Sequence, residues 1–277
     1  MTDEAAVAQR DRYDRIARGY ARWWAPVLAP TAVRLLDLIA DDVAAGATRI
    51  LDIGTGTGTL PIAILRRWPG VRVSAIDASS EMMEAARAEI EAAAPGAATR
   101  FDGRVAYADE MPFAEGAFDV AVSSFVFQLV PSRTRALEEA ARVVRPGGRL
   151  AYVTWKLTSR WFAPDVAFDD ALEDVGIGAR EAEGRSGDLA SVEAAASGLR
   201  RAGFRNVRAF GVELAHPFDI ESYTAFMAEF DEEDLVSEME PDLRARFDRR
   251  FRQRLESLAE DDFVLRLPVV FATGLRR

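Results

Sequence analysis

The segment Ile50-Leu51-Asp52-Ile53-Gly54-Thr55-Gly56-Thr57-Gly58-Thr59-Leu60-Pro61 carries the reading of the whole chain. A β-branched run, Thr48–Ile53, enters three glycines at alternate positions, and Pro61 falls in the first turn of a following helix, where a missing N–H costs little. Glycines let a backbone take positive φ and come close to a ligand, while a helix N-terminus offers unpaired N–H donors. Such a loop at the carboxyl end of a parallel strand is where open α/β sheets bind nucleotide cofactors. The dinucleotide fingerprint needs glycines at its first, third and sixth places. Counted from Gly54 the sixth place is Thr59, and counted from Gly56 it is Pro61, so neither register fits a nicotinamide-dependent oxidoreductase. No Gly-Lys-Ser/Thr follows, which removes the P-loop reading as well.

Outward from this segment, short apolar runs alternate with helical stretches. Strands are expected at 48–53, 71–76, 104–108, 117–123 and 149–155, with helices at 59–68, 80–94 and 132–144 between them. That alternation reads as βαβ units and a parallel sheet covered on both faces. Pro69-Gly70, Pro95-Gly96 and Arg145-Pro146-Gly147-Gly148 punctuate the ends of the helices. Ser79 or Ser80 can cap the second helix. Upstream, Tyr13, Ala17, Tyr20 and Trp24 fall on one helical stripe.

Composition bounds the chemistry. The chain has 277 residues, no cysteine and one histidine, His216, which excludes thiolate sites, disulfides and histidine clusters; no metal is expected. A formal net charge of −10 disfavours nucleic acid and anionic lipid as partners. The N-terminus MTDEAAVAQRDRYD lacks a secretory pattern, and Val120–Val130 is too short and too polar to span a bilayer, so the expectation is a cytoplasmic protein without membrane insertion.

Four segments in order, LDIGTGTG, VSAIDASSEMMEAAR, AYADEMPFAEGAFDVAVSSFVFQLV and ARVVRPGGRLAYVTW, resemble the class I S-adenosylmethionine-dependent methyltransferases. Within them the chain is similar to the small-molecule branch that includes ubiquinone/menaquinone-biosynthesis methyltransferases. The resemblance covers about residues 48–156, with YDRIARGYARWW as an N-terminal companion. It implies a Rossmann-like, doubly wound, mostly parallel seven-stranded sheet with an N-terminal helical cap and helical insertions forming a substrate lid. It also implies S-adenosyl-L-methionine as cofactor, S-adenosyl-L-homocysteine as product and a small-molecule methyl acceptor.

The resemblance assigns Asp77 and its neighbour Ala78 to the ribose, an assignment that the spacing of 19 residues from Gly58 also fits. Gly54, Thr55, Gly56 and Gly58 would line the methionine part, with Asp52 near its ammonium. Met82, Asp109 and Glu110 would meet the adenine, Ser124 would face the sulfonium or the acceptor, and Tyr20 would close over the amino-acid end. Asp52 as a strand-end residue and Met82 as core remain equal alternatives.

The rest of the chain is expected as one elaborated domain: a cap at 1–47, the cofactor core at 48–156, a first insertion at 157–188, core at 189–216, a helical lid at 217–262 and a last strand within 263–277. Trp24, Phe125, Tyr223, Phe226 and Met227 are candidates for the acceptor pocket, and His216 is the one candidate base near neutral pH. Six arginines between Arg244 and Arg254 could meet RNA, but a solvated face paired with Glu232, Glu233, Asp234, Glu238 and Glu240 is the plainer reading. A cofactor-binding protein without turnover, serving regulation or assembly, is the first alternative function, and an NAD(P)-dependent oxidoreductase, weakened by the failed glycine register, is the second. The oligomeric state stays open, a homodimer included.

Overall fold

In the computed structural model, residues 3–159, 161–178, 180 and 187–277 are described; positions 181–186 of the first insertion lie outside them. The chain divides into two compact units, one comprising Met1–Leu157, Ser186–Val212 and Pro268–Arg277, the other Thr158–Arg185 and Glu213–Leu267.

The chain forms a seven-stranded sheet, of which the first unit holds β1 to β5 and the larger parts of β6 and β7. Its strands are β1 (Arg49–Ile53), β2 (Arg72–Asp77), β3 (Phe101–Val105), β4 (Phe118–Ser124), β5 (Val144–Trp155), β6 (Phe204–Pro217) and β7 (Val264–Arg276), in the spatial order β3-β2-β1-β4-β5-β7-β6. Strands β1 to β5 pair in parallel, and β7 runs antiparallel to β5 with Arg149 opposite Leu275 and Trp155 opposite Val269. This is the mostly parallel, doubly wound sheet expected from the sequence. The strand order reverses between β1 and β4, and at such a point the carboxyl ends of the strands splay apart into a crevice. Ile50, Leu51 and Ile53 of β1 are all buried because helices cover both faces, which is why this strand reads as a continuous apolar run.

The helices are α1 (Asp3–Gly19), α2 (Ala25–Val33), α3 (Leu35–Ala44), α4 (Thr59–Arg67), α5 (Ser80–Ala93), α6 (Arg133–Val143), α7 (Ala163–Asp174), α8 (Val192–Arg201), α9 (Ile220–Phe226), α10 (Glu233–Ser237) and α11 (Pro241–Leu255). Between α1 and α2 lies one π-helical turn, Tyr20–Trp24, an irregularity frequent at functional sites. Ser79 caps α5 as anticipated, its hydroxyl accepting from the Met82 N–H.

Two strands, β3 and β5, differ from the sequence reading by more than one residue. Strand β3 starts three residues before the expected Arg104, and it includes Gly103, where a Cβ would lie 2.3 Å from Sδ of Met83 and would displace that side chain. The start is also fixed by Arg100, which donates to the carbonyls of Leu65, Trp68 and Val71, a long-range anchor invisible to periodicity. Strand β5 begins at Val144 and absorbs Pro146-Gly147-Gly148 through a shift of register against β4.

The second unit is helical and packs around aromatic rings. Phe168 of α7 meets Phe247 and Phe251 of α11 edge-on, each at 5.1 Å between ring centroids. Among the described residues, the ion pairs of the α11 arginines are with acids other than those expected from the sequence. Arg244 pairs with Asp248, Arg252 with Glu221, and Arg254 with Asp170 and Asp174 of α7, while Glu232 is taken by Arg180. Packing of α7 on α11 brings the former's carboxylates alongside Arg254, and linear spacing carries no trace of that.

Candidate functional site

The glycine loop follows β1 and is held in place by β2. The N–H groups of Gly54 and Thr55 both donate to the Ile76 carbonyl, at 2.8 and 2.9 Å. Gly54, Gly56 and Gly58 all have positive φ, +72°, +52° and +88°. At Gly54 the requirement is double, because a Cβ there would also stand 2.2 Å from Val126 Cγ2. Gly58 occupies the N-cap position of α4 and contributes no side chain, which leaves the helix N-terminus open to the loop.

Asp52, one residue before the end of β1, is 1% exposed, and among the described residues neither of its carboxylate oxygens has a hydrogen-bond partner. Burial pushes its carboxyl up to about 7; the nearby Thr55 hydroxyl pulls the value back, and the charge of Asp77 pushes it further up. Thr55 does not reach hydrogen-bonding geometry, and its own hydroxyl oxygen is likewise buried without a partner. These groups line a pocket of about 380 Å³ whose walls include Tyr20, Leu28, Gly54, Gly56 and Ser124. A buried carboxylate with no partner is costly unless the site receives a donor or a cation.

Beside it lies a larger cleft of about 810 Å³. Asp77, at the end of β2, forms its floor: Oδ2 accepts from the Gly56 N–H at 2.8 Å and Oδ1 from the Ser79 N–H at 3.0 Å. Burial raises the Asp77 carboxyl, the backbone donors of Ser79, Gly56 and Ala78 lower it, and the charge of Asp14 raises it. Each carboxylate oxygen keeps lone pairs for further donors. Ala78, Met82, Asp109, Ser124 and Phe125 line the same cleft, together with Tyr20 from the π-helical turn. Tyr20 lies over the loop, its Cε1 3.8 Å from where a Gly56 Cβ would stand. Burial, with the nearby Tyr13 and Asp77, keeps its phenol protonated.

Phe125 has φ +57°, a conformation costly for an aromatic residue. It is held there by its N–H to the Val153 carbonyl, 2.8 Å, and by the Gln128 amide donating to its own carbonyl, 2.5 Å. Its ring packs on Trp155 at 4.3 Å, and Trp155 in turn meets Trp24 at 6.3 Å.

Of the residues named from the sequence, the first unit thus gathers Tyr20, Gly54, Gly56, Asp77, Ala78, Met82, Asp109, Ser124 and Phe125 around one cleft, with Asp52 and Thr55 in the adjoining pocket. Gly58 serves as the helix cap, and Glu110 is exposed and is not part of the cleft lining. His216, Tyr223, Phe226 and Met227 belong to the second unit. His216 is half-buried edge-on to Phe218 at 4.7 Å, and burial lowers its pKa. Tyr223, Phe226 and Met227 are buried, Tyr223 donating to Asp165.

Gln9 and Arg10 of α1, Tyr107 after β3, and Leu129 and Val130 after β4 also line the cleft and were not singled out from the sequence. Gln9, Arg10 and Tyr13 fall at helical spacing, which was a usable signal; the loop residues gave none.

A family model described as a methyltransferase domain matches residues 50–148. The chain is 31% identical over 210 residues to a malonyl-[acyl-carrier protein] O-methyltransferase of Geobacter sulfurreducens, covering 76% of this chain and 74% of that protein. It is 39% identical over 103 residues to the ubiquinone/menaquinone biosynthesis C-methyltransferase UbiE of Geotalea daltonii, a match that spans 37% of this chain and 43% of that protein. The fold is similar to that of the YcgJ protein from Bacillus subtilis, with a TM-score of 0.56, 16% identity, and coverage of 88% of this chain and 98% of that one.

Proposed function

Because the chain belongs to the class I S-adenosylmethionine-dependent methyltransferase family, we propose that it transfers a methyl group from S-adenosyl-L-methionine to oxygen, nitrogen or carbon of a small, partly apolar or aromatic molecule. The observation that carries the reading is Asp52, with both carboxylate oxygens buried and unpartnered in a pocket walled by Gly54, Thr55 and Gly56. An α-ammonium group is the cation that this pocket and the adjoining cleft, taken together, would accept from an amino-acid nucleoside.

When bound, the cofactor supplies a methyl carbon already activated by a positively charged sulfur, so the protein's work is orientation and exclusion of water. Asp52 would hold the ammonium, and the backbone of Gly54 and Gly56 would border the methionine chain without side chains in the way. Asp77, already fixed by Gly56 and Ser79, would receive the ribose hydroxyls on its remaining lone pairs. Met82 and Asp109 would flank the base. Tyr20, which lies over the loop side of the cleft, would keep water from the donor. Phe125 and Ser124, at the end of β4, would border the acceptor, and the contact of the buried Phe125 ring with Trp155 would give that border an aromatic wall.

Calorimetry with S-adenosylhomocysteine and with the methyl donor tests the reading. Binding is expected, and Asp77→Ala is expected to weaken it by roughly tenfold or more, the loss of a charge-assisted contact. No binding of either compound overturns it. Mass spectrometry of cell extract incubated with isotopically labelled donor then identifies the acceptor, as a labelled small molecule whose formation depends on the protein.

A further inference from the structure

Helix α1 meets the cofactor cleft along one face, on which Arg10, Tyr13, Asp14 and Ala17 recur at helical spacing. Arg10 and Tyr13 line the cleft and Ala17 is buried. Asp14, between them, does something different: its Oδ1 accepts from the Ser79 hydroxyl at 2.6 Å and from the Glu81 N–H at 3.4 Å. Ser79 is fully buried and engaged on all sides. Its hydroxyl accepts from the Met82 N–H, which caps α5, and its own N–H donates to Asp77 Oδ1. Asp77 Oδ2 in turn accepts from Gly56. An unbroken line of hydrogen bonds therefore runs from the glycine loop through Asp77 and Ser79 to α1. A second carboxylate set this close to Asp77 is electrostatically unfavourable, and packing alone would be served by an apolar side chain. The charge-assisted bond to Ser79 is the contact that offsets it.

We propose that Asp14 is a positioning residue for the cofactor site: through Ser79 it fastens α1, and with it Arg10, Tyr13 and Tyr20, over the cleft, so that cofactor retention depends on this contact. The proposal rests on the cofactor reading above. Asp14 touches no reacting group; it acts by holding the helix that covers them.

The test compares the full-length chain with its Asp14→Ala and Asp14→Asn variants by hydrogen exchange over residues 3–24 and by stopped-flow dissociation of S-adenosylhomocysteine. Losing one charge-assisted bond should speed dissociation roughly tenfold with little change in association rate, and Asp14→Asn, which still offers an acceptor oxygen, should fall between. Exchange in α1 should rise in both unliganded variants while that of β1 and β4 stays as in the parent, which separates an opened helix from a misfolded core. Unchanged dissociation, or faster dissociation with α1 still protected, overturns the proposal. If the parent protein binds no S-adenosylhomocysteine, the cofactor reading fails. Exchange in the unliganded proteins then still decides the contact itself: α1 equally protected with and without Asp14 refutes the fastening.

Discussion

Asp52, the proposed holder of the cofactor's ammonium, is a buried carboxylate kept at the expense of the fold. Its value of about 7 lies above that of an unfolded chain, so the folded protein holds a proton between about pH 4 and 7 that the unfolded chain has released. The resulting destabilisation is absent below about pH 4, grows through that window and is complete above about 7. Asp52→Asn should therefore raise the thermal midpoint at pH 8, by at most about 4 kcal/mol in stability, and leave it unchanged near pH 4. The same variant should bind the methyl donor more weakly, and the parent's affinity should rise with pH through about 7. A variant no more stable at pH 8 than at pH 4, each relative to the parent, would show that the carboxyl is not strained in the fold. Gly54→Ala combines a disfavoured φ with a clash against Val126, so it should cost about 2 kcal/mol or more and abolish cofactor binding, read by denaturant titration and calorimetry. The strand and glycine loop that carry both residues were legible in the sequence, because glycine and an apolar run are local signals; the missing partners of Asp52 were not, because burial is a property of everything around it.

Among elements, the contact of α7 with α11 is the clearest case of packing between two helices. Phe247, Phe251 and Leu255 recur at helical spacing and are buried. That Phe168 is the ring they enclose follows only from the three-dimensional packing. Phe168→Ala should cost about 3–5 kcal/mol in a urea titration, whereas Arg254→Ala should cost about 1 kcal/mol or less, since its pairs with Asp170 and Asp174 are part-exposed. Equal losses in the two variants would mean that ion pairs rather than aromatic packing join these helices. The π-helical turn at Tyr20–Trp24 was also beyond reach of the sequence, which reads there as an unbroken stripe. One extra residue in the turn is a backbone choice made by the packing around it.

At the scale of the molecule, Asp119 ties the start of the sheet together. It accepts from the N–H groups of Thr48 and Arg49 and from the side chains of Arg49 and Arg145. Burial alone would raise its carboxyl, but these donors outweigh burial and hold it well below the usual range. A lowered folded value means stability that is present above the unfolded value of about 4 and lost as the pH falls below it. Asp119→Ala should therefore cost about 2–3 kcal/mol at neutral pH, with the difference narrowing in acid unfolding curves recorded below about pH 4. A difference that persists at low pH would point to lost packing instead of charge. The sequence by itself determined the alternation of strands and helices, the position of the glycine loop, and the chemistry excluded by one histidine and no cysteine. Each of these is written in local spacing or in composition. The tertiary structure alone decided that Asp52 has no partner, that Asp14 reaches Ser79 across 65 positions of chain, and which carboxylates the α11 arginines meet. Those are contacts between segments far apart in sequence, set by the closing of the sheet and the packing of helices, and no periodicity records them.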